Sequence, residues 1–388
     1  MTEKKKHPEG VYPRSIRRKG RVVTVYDASY EAPRIDGRRR KVMRRGFAGE
    51  DEAIAWRDAQ RVGVRSGGYV APDRVTVGQY LDEWLPSIRA SVRPSTFESY
   101  AMHARVHLKP RIGDVRLQAL TVEGVSRLYG DLLDSGLSAA SVRRIHSTLR
   151  RSLRDARRSG RVVRNPAEDA RLPQVPTPDM NVWNASTVRR FLDSLSTSED
   201  EQPHTLFGLM IATGMRRGEV LGLSWSELDF DHATLRVVRT LVSVNGKILA
   251  SEPKTKRSRR TIGLDERTVA LLRRHRVRQV ERRVAWGKAW AETDLVFDDG
   301  RGGALHPDAV SKRFAKLVKE AGVPVIRLHD LRHTAATLML SAGVAAKIAS
   351  ERLGHSTIAV TMDTYTAFVP SLDADAAART ADLIYGSG

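Results

Sequence analysis

Apolar residues recur along this chain at two spacings, and the changes between them mark its parts. Up to about residue 66, SIRRKGRVVTVYD and RRRKVMRRGF alternate β-branched with basic residues, as strands with one wet face do, and EDEAIAWRDAQRVGV then takes up helical periodicity. A small sheet with one helix is expected there. The next stretch reads as helix throughout: VTVGQYLDEWLPSIR, a segment opening at the N-cap-like PSTFESY, TVEGVSRLYGDLLDSG, and SAASVRRIHSTLRRSLRDARRSGRVV. Further on the pattern is mixed. PHTLFGLMIATGMRRGEVLGLSWSELDF predicts an apolar helix, a break at Thr213 and Gly214, and a short helix beginning near Arg216. ATLRVVRTLVSV and KILAS flank Asn245-Gly246, the strongest short hairpin signal, and the turn PKTKRSRR leads into a strand, RTIGL. LVF at 295 to 297 reads as a strand and HPDAVSKRFAKLVKEAG as a helix. After His329, Leu331, Ala335, Leu338 and Met339 follow helical spacing, with no glycine or proline before Gly343.

Two stretches break these patterns. RSGGYVAPDR at 65 to 74 and NPAEDARLPQVPTPDM at 165 to 180, the latter with four prolines in sixteen residues, read as linkers. They divide the chain into a sheet-plus-helix part at 1–66, an all-helical part at 75–165 and a mixed α+β part at 180–388. The expected fold is multidomain, mainly α with small antiparallel sheets. A chain of 388 residues is long enough for such parts to hold separate cores. It contains no internal repeat and no low-complexity tract.

Charge narrows the partner. The chain carries 66 Lys plus Arg against 45 Asp plus Glu, a formal +21, with a sequence pI near 10.6. That excess is the footprint of a nucleic-acid binder. Through residue 66 there are 18 basic against 9 acidic side chains, a net +9, and a basic sheet face can lie in a DNA groove. In the last helix of the second part, Ile145, Leu149, Leu153 and Ala156 fall on one side. Arg143, Arg150, Arg151, Arg154, Arg157 and Arg158 gather opposite. Between 143 and 164 nine arginines meet a single aspartate, so the mixed-sign surface of an ordinary solvated face is missing, and a phosphate backbone is the partner that would neutralise it. Arg143, Arg150, Arg154 and Arg158 are the candidate DNA contacts. No apolar run is long enough to span a bilayer, and the start MTEKKKHPEG lacks a signal-peptide core, so an intracellular protein without a membrane partner is expected. The absence of cysteine excludes disulfides, thiolate metal sites and cysteine nucleophiles.

The stretch LHDLRHTAATLML, from 328 to 340, holds the most concentrated chemistry. On a helix His329, Arg332 and His333 share one side. Three readings compete: a solvated polar face, a metal site with the i, i+4 histidines of a zincin, and an anion site in which Arg332 offers a planar fork to phosphate oxygens. Arg216 is a second anion candidate, since an arginine at a helix start adds its charge to the dipole and to free N–H groups, and Glu219 stands where it can hold that side chain. A third basic site is the turn after the hairpin, where five of the seven residues from Lys254 to Arg260 are basic.

The order TGMRRGE, PKT in a basic turn, HDLRH, LGHS, and a tyrosine ten residues beyond that histidine resembles the catalytic domain of tyrosine recombinases, the phage-integrase family. The second part resembles the family's core-binding domain and the first its arm-binding domain, so the resemblance covers nearly the whole chain. It implies that Arg216 and Arg332 clamp a scissile phosphate and that Tyr365 attacks it, forming a 3′-phosphotyrosyl ester. Lys254 corresponds to the turn lysine that protonates the departing 5′-oxygen. His329 and His355 match the two histidines that bond the phosphate and move protons, and Glu219 the acid that supports Arg216. Many relatives have histidine two residues after the tyrosine, where this chain has Ala367. The resemblance also implies double-stranded attachment sites as partner, a homotetramer on DNA, accessory DNA-bending and directionality proteins, and work in a bacterial cytoplasm. In the family a tail such as PSLDADAAARTADLIYG, with Leu372, Ala376, Leu383 and Ile384, docks on a neighbouring protomer.

Elementary chemistry asks for the same residue types. A phenol has a pKa near 10, so a tyrosine nucleophile needs cations beside it. Arginine forks stabilise the transition-state charge. The phosphotyrosine bond conserves the energy of the diester, so no cofactor and no metal is expected; the chain has neither a G-x-x-x-x-G-K-[ST] loop nor an acidic cluster for a two-metal nuclease. The zincin reading is weak, because Asp330 is one methylene short of the usual base and Arg332 would set a positive charge beside the metal. A type IB topoisomerase, which shares the tyrosine chemistry, and a DNA-binding regulator with a dead site are the closer rivals of a recombinase.

Overall fold

The computed structural model of the chain describes residues 7–18, 21–35, 38–65, 70–176, 181–251, 259–354, 380 and 384–385. They build a mainly helical protein with small antiparallel sheets, and the chain separates into two compact units, Met1–Pro176 and Thr177–Gly388.

The first unit opens with the sheet β1 (Val11–Arg18), β2 (Arg21–Ile35) and β3 (Arg38–Phe47), antiparallel in sequential order, followed by α1 (Glu50–Arg65). Val11, Ala28 and Phe47 meet Ala53 of α1 in a small core, and Trp56 lies edge-on to Tyr30 with ring centroids 5.6 Å apart. Burying one face leaves Arg17, Arg18, Arg21, Arg44 and Arg45 exposed.

A set of helices follows: α2 (Val77–Ile88), α3 (Pro94–Met102), which runs through a π-helical stretch at His103–Leu108 into α4 (Lys109–Ile112), then α5 (Val122–Asp134), α6 (Ala139–Arg158) and α7 (Pro166–Asp169). The starts of α2, α5, α6 and α7 are set by side chains that accept from free backbone N–H groups: Thr76, which forms a capping box with Gln79, Thr121, Ser138 and Asn165. The core is made of the apolar faces the periodicity predicts, including Leu81, Leu128, Ile145, Leu149 and Leu153.

In the second unit α8 (Ala185–Ser196), α9 (Gln202–Thr213) and α10 (Arg217–Leu221) precede the strands β4 (Leu228–Asp229), β5 (Thr234–Val237), β6 (Thr240–Val244), β7 (Lys247–Ser251) and β8 (Arg260–Gly263). Then come α11 (Glu266–Trp286), α12 (Pro307–Glu320), α13 (Asp330–Ser341) and α14 (Ala346–Leu353). Helix α9 is apolar nearly all round and lies inside the unit, in contact with α8, α11 and α13. Its Phe207 joins Trp183, Phe191 and Phe314 in one aromatic cluster.

The strand segment differs from expectation in two ways. ATLRVVRTLVSV is two strands, not one: β5 pairs with β4 and β8, whereas β6 turns through Asn245 and Gly246, at φ 51° and 74°, to pair with β7. The residues LVF form no named strand, because Leu295 makes only an isolated bridge to Ser224 and Val296 donates to the Leu223 carbonyl. Four helices, α7, α8, α11 and α14, are also added to the elements the periodicity predicts, and α7 lies within the stretch read as a linker, where Pro166 and Ala167 are buried. Helix α8 does carry a readable signal, Val188, Phe191 and Leu195 behind the Asn184 cap; α11 does not, since its buried residues are Thr268, Leu272, His275 and Gln279.

Candidate active site

Helix α9 ends at Gly214, whose left-handed backbone (φ 66°) lets the chain reverse into Met215 and Arg216. A Cβ at this position would collide with Leu353 Cδ2 and touch Ala335, so a side chain here would need Leu353 to move as well as a strained backbone. The reversal leaves Arg216 as the N-cap of α10 in extended conformation, with Glu219 in the first turn behind it.

Glu219 holds Arg216 twice. Its Oε2 accepts from the Arg216 backbone N–H at 3.0 Å and its Oε1 from the guanidinium at 2.8 Å. Burial raises the pKa of this carboxyl, but hydrogen bonding and charge from Arg260, then from Arg216, outweigh it and keep the group ionised. The Arg216 side chain keeps 39% of its surface exposed while Glu219 keeps 3%, so one side of the guanidinium is fixed and the other faces outward. Its Nη2 donates to the Gly354 carbonyl at 3.2 Å.

Arg332, on the first turn of α13, is buried, and its Nη1 donates to the Gly214 carbonyl at 2.7 Å. The same turn that presents Arg216 therefore anchors Arg332. His329 stands at the head of α13 and stays open to solvent. Desolvation by its surroundings, then the neighbouring His333, Arg332 and Arg216 push its pKa down to about 4, leaving the ring neutral near pH 7. The two arginines and His329 thus share one electrostatic neighbourhood. A groove of about 780 Å³ opens at His329, lined by Arg217, Phe314 and Arg327 among others.

The geometry bears on the competing readings. His329 and His333 have ring centroids 5.2 Å apart, the adjacency expected of i, i+4 residues. Asp330, however, accepts from the Arg327 backbone N–H and from both ends of its guanidinium at 2.8 to 3.0 Å, so its carboxylate is held away from the task of a metalloprotease base. An anion is the ligand this charge pattern suits. Lys254, His355 and Tyr365, like Ala367 and nearly all of the tail, lie outside the described residues. Arg143, Arg150, Arg154 and Arg158 are exposed on α6, with Arg150 and Arg154 beside a small cleft that also includes His146 and Ser147.

One residue of the site does not stand out in the sequence. Arg260, at the start of β8, donates to Glu219 Oε2 at 2.9 Å and through Nε to the Arg352 carbonyl at 2.6 Å. In the sequence it is only one more cation of the basic turn; the signal that sets it apart is its place at the head of a strand, not its charge.

The chain is similar to known proteins over most of its length. Residues 182–370 match the phage integrase family, and residues 76–133 match its N-terminal SAM-like domain. The chain is 29% identical over 365 residues to a tyrosine recombinase XerC-like protein of Caldanaerobacter subterraneus subsp. tengcongensis, covering 88% of this chain and 93% of the relative. It is 24% identical over 301 residues to the ICEBs1 integrase of Bacillus subtilis, covering 78% and 81%. Among solved structures, the Tn1549 transposon integrase in complex with transposon right end DNA superposes with a TM-score of 0.66 at 20% identity, over 80% of this chain and 100% of that one. A lambda integrase tetramer bound to a Holliday junction gives 0.57 at 19% identity, over 94% and 96%. Those two likenesses establish the fold. Taken with the sequence matches, they close the identification: the chain belongs to the phage integrase family, the tyrosine recombinases, and is a DNA strand-transferring enzyme.

Proposed function

We propose that this chain is a site-specific integrase that cuts and rejoins double-stranded DNA at attachment sites through a covalent 3′-phosphotyrosine intermediate, integrating or excising a mobile element. The convergence of Arg216, His329 and Arg332, with Glu219 fixing Arg216 from behind, is the observation that carries this reading. Two guanidinium groups face the non-bridging oxygens of one phosphate; desolvation around Arg332 strengthens their pull on the charge that develops in the transition state. The Tyr365 oxygen attacks phosphorus as the bond to the 5′-oxygen breaks. Lys254 gives that oxygen a proton, and the phenolic proton passes to a neutral imidazole, His329 or His355. Rejoining runs the step backwards: a 5′-hydroxyl attacks the phosphotyrosine and tyrosine is released. One ester bond replaces another in each direction, so no nucleotide is consumed.

In this reading residues 1–66 bind arm-type sites, residues 75–165 bind the core site through Arg143, Arg150, Arg154 and Arg158, and residues 180–388 cut and rejoin. Four copies assemble on two sites, each tail docking on a neighbour; the lambda integrase tetramer bound to a Holliday junction supports a four-copy assembly. Accessory DNA-bending and directionality proteins, and a bacterial cytoplasm, complete the setting.

Covalent trapping tests the chemistry. The protein is mixed with DNA of its source and quenched with detergent, and the ends of protein-linked fragments are sequenced. Adducts at a few discrete sites, absent with Tyr365→Phe, are expected. Adducts that survive the substitution would overturn Tyr365 as nucleophile, and adducts scattered without a common sequence would mark a topoisomerase instead.

A further inference from the structure

Arg260 closes a ring of hydrogen bonds that joins three elements. Its Nη2 donates to Glu219 Oε2 at 2.9 Å; Glu219 Oε1 accepts from Arg216 Nη1 at 2.8 Å. Arg216 Nη2 donates to the Gly354 carbonyl at 3.2 Å, and two residues back along the chain the Arg352 carbonyl accepts from Arg260 Nε at 2.6 Å. The side chains of Arg260 and Glu219 are 7% and 3% exposed, so this part of the ring is shielded from competing water. Gly354 is fitted to it: the residue has φ 68°, and a Cβ there would lie 3.0 Å from Arg260 Nη1 and 3.3 Å from Cζ.

We infer that Arg260 is a positioning residue for strand cleavage, acting through Glu219 on the Arg216 guanidinium and, through the Arg352 carbonyl, on the end of α14 that leads into His355. Without Arg260 the buried Glu219 loses the partner that contributes most to keeping it ionised, and Arg216 is left attached to a carboxylate free to shift. The planar fork matters because Nε and Nη2 serve different elements at once. A lysine ammonium is a point donor on a flexible stem and cannot reproduce that pair of directions. This inference rests on Arg216 contacting the scissile phosphate.

The test uses the full chain and a synthetic duplex carrying a cleavage site recovered by trapping, with single-turnover cleavage measured in preformed complexes. Arg260→Gln is expected to slow cleavage about a hundredfold, the scale on which small misplacements act, with DNA affinity within about twofold of the parent. Arg260→Lys, which keeps a cation near Glu219 and guards against misfolding, should recover only part of the rate. Two readouts separate positioning from mere folding. The double variant Arg260→Gln with Glu219→Gln should be no slower than the worse single variant, since both act through one link. A methylphosphonate at the scissile position removes the oxygen charge that Arg216 meets, so the Arg260→Gln deficit should shrink there. Cleavage within twofold of the parent, additive losses, or an undiminished deficit on methylphosphonate would each overturn the inference. Arg216→Lys is the separate control: if it cleaves normally, the phosphate-clamp reading itself fails, whatever Arg260 does.

Discussion

Helices α6 and α11 each carry seven arginines on about the same length, yet they are built into their units in opposite ways. Helix α6 buries Val142, Ile145, Leu149, Leu153 and Ala156, and among the described residues Arg143, Arg144, Arg150 and Arg158 pair with no carboxylate. In α11 only Leu272 brings an aliphatic side chain to the buried face; polar bonds do the rest. His275 donates to the Val296 carbonyl, Gln279 to the Leu295 carbonyl and to Asp298, and Arg282 pairs with Asp298 at 3.0 Å. Its other arginines are largely engaged as well: Arg278 with Glu201, Arg283 with Glu292, Arg276 over Trp225 and Arg273 over Phe230. Arginine count therefore says little about a nucleic-acid surface. What distinguishes α6 is an apolar back and a front whose charge the protein leaves largely uncompensated.

The comparison breaks most visibly at Asp298. This fully buried carboxylate accepts from Gln279, Arg282 and the Gly300 N–H. Asp298→Ala leaves those donors stranded and should cost about 3 kcal/mol, read as a drop of several degrees in the unfolding transition of the full chain, with DNA affinity at low temperature unchanged. An unaltered transition would mean that α11 is held by something other than its polar face. Next in size is the salt response. Replacing Arg150 and Arg154 by Gln should weaken DNA binding and reduce the slope of log Kd against log salt by about 1.8, two phosphates at roughly 0.9 each. The same change at Arg278 and Arg283, which pair with Glu201 and Glu292, should leave the slope as it was. If the α11 pair flattens the slope and the α6 pair does not, the assignment of the two helices is reversed.

The contrast also explains what can be read from the sequence. Helix α6 is legible because its packing is hydrophobic and periodic, and the helices of its neighbourhood follow for the same reason. Helix α11 is not, because hydrogen bonds to Val296 and Asp298 depend on a loop that is distant until the chain has folded, and His275 or Gln279 inside a run of arginines has the look of a solvated surface. The same division runs through the site. Arg216, Glu219, His329 and Arg332 sit in short local patterns at helix starts, where spacing alone puts them within reach. Arg260 reaches Glu219 across 41 residues, and only the pairing of β5 with β8 and the closeness of α10 and α14 bring it there. The split of the long strand segment into β5 and β6 is hidden in the same way, since β5 takes its partners from outside the hairpin.

Each helix buries one histidine, and these give the smallest and sharpest test. Burial depresses the pKa of His146 on α6, helped by the nearby charges of Arg150 and Arg143; burial likewise depresses His275 on α11, where the bond to the Val296 carbonyl opposes it and Arg282 adds to it. Both rings take up a proton at lower pH than in the unfolded chain, so their contribution to stability is complete above the unfolded value of about 6.5 and declines as pH falls below it, because the unfolded chain takes up the proton first. DNA should separate the two. Phosphates bound by Arg150 and Arg143 would offset the cationic field that holds His146 down, raising its pKa, whereas the Arg282 charge near His275 is already matched by Asp298. Imidazole NMR shifts followed against pH, with and without bound duplex, should show His146 moving upward and His275 standing still. Equal movement at both would mean that DNA acts through a change of fold, not through the field of its phosphates, and a still His146 would place the duplex away from this face of α6.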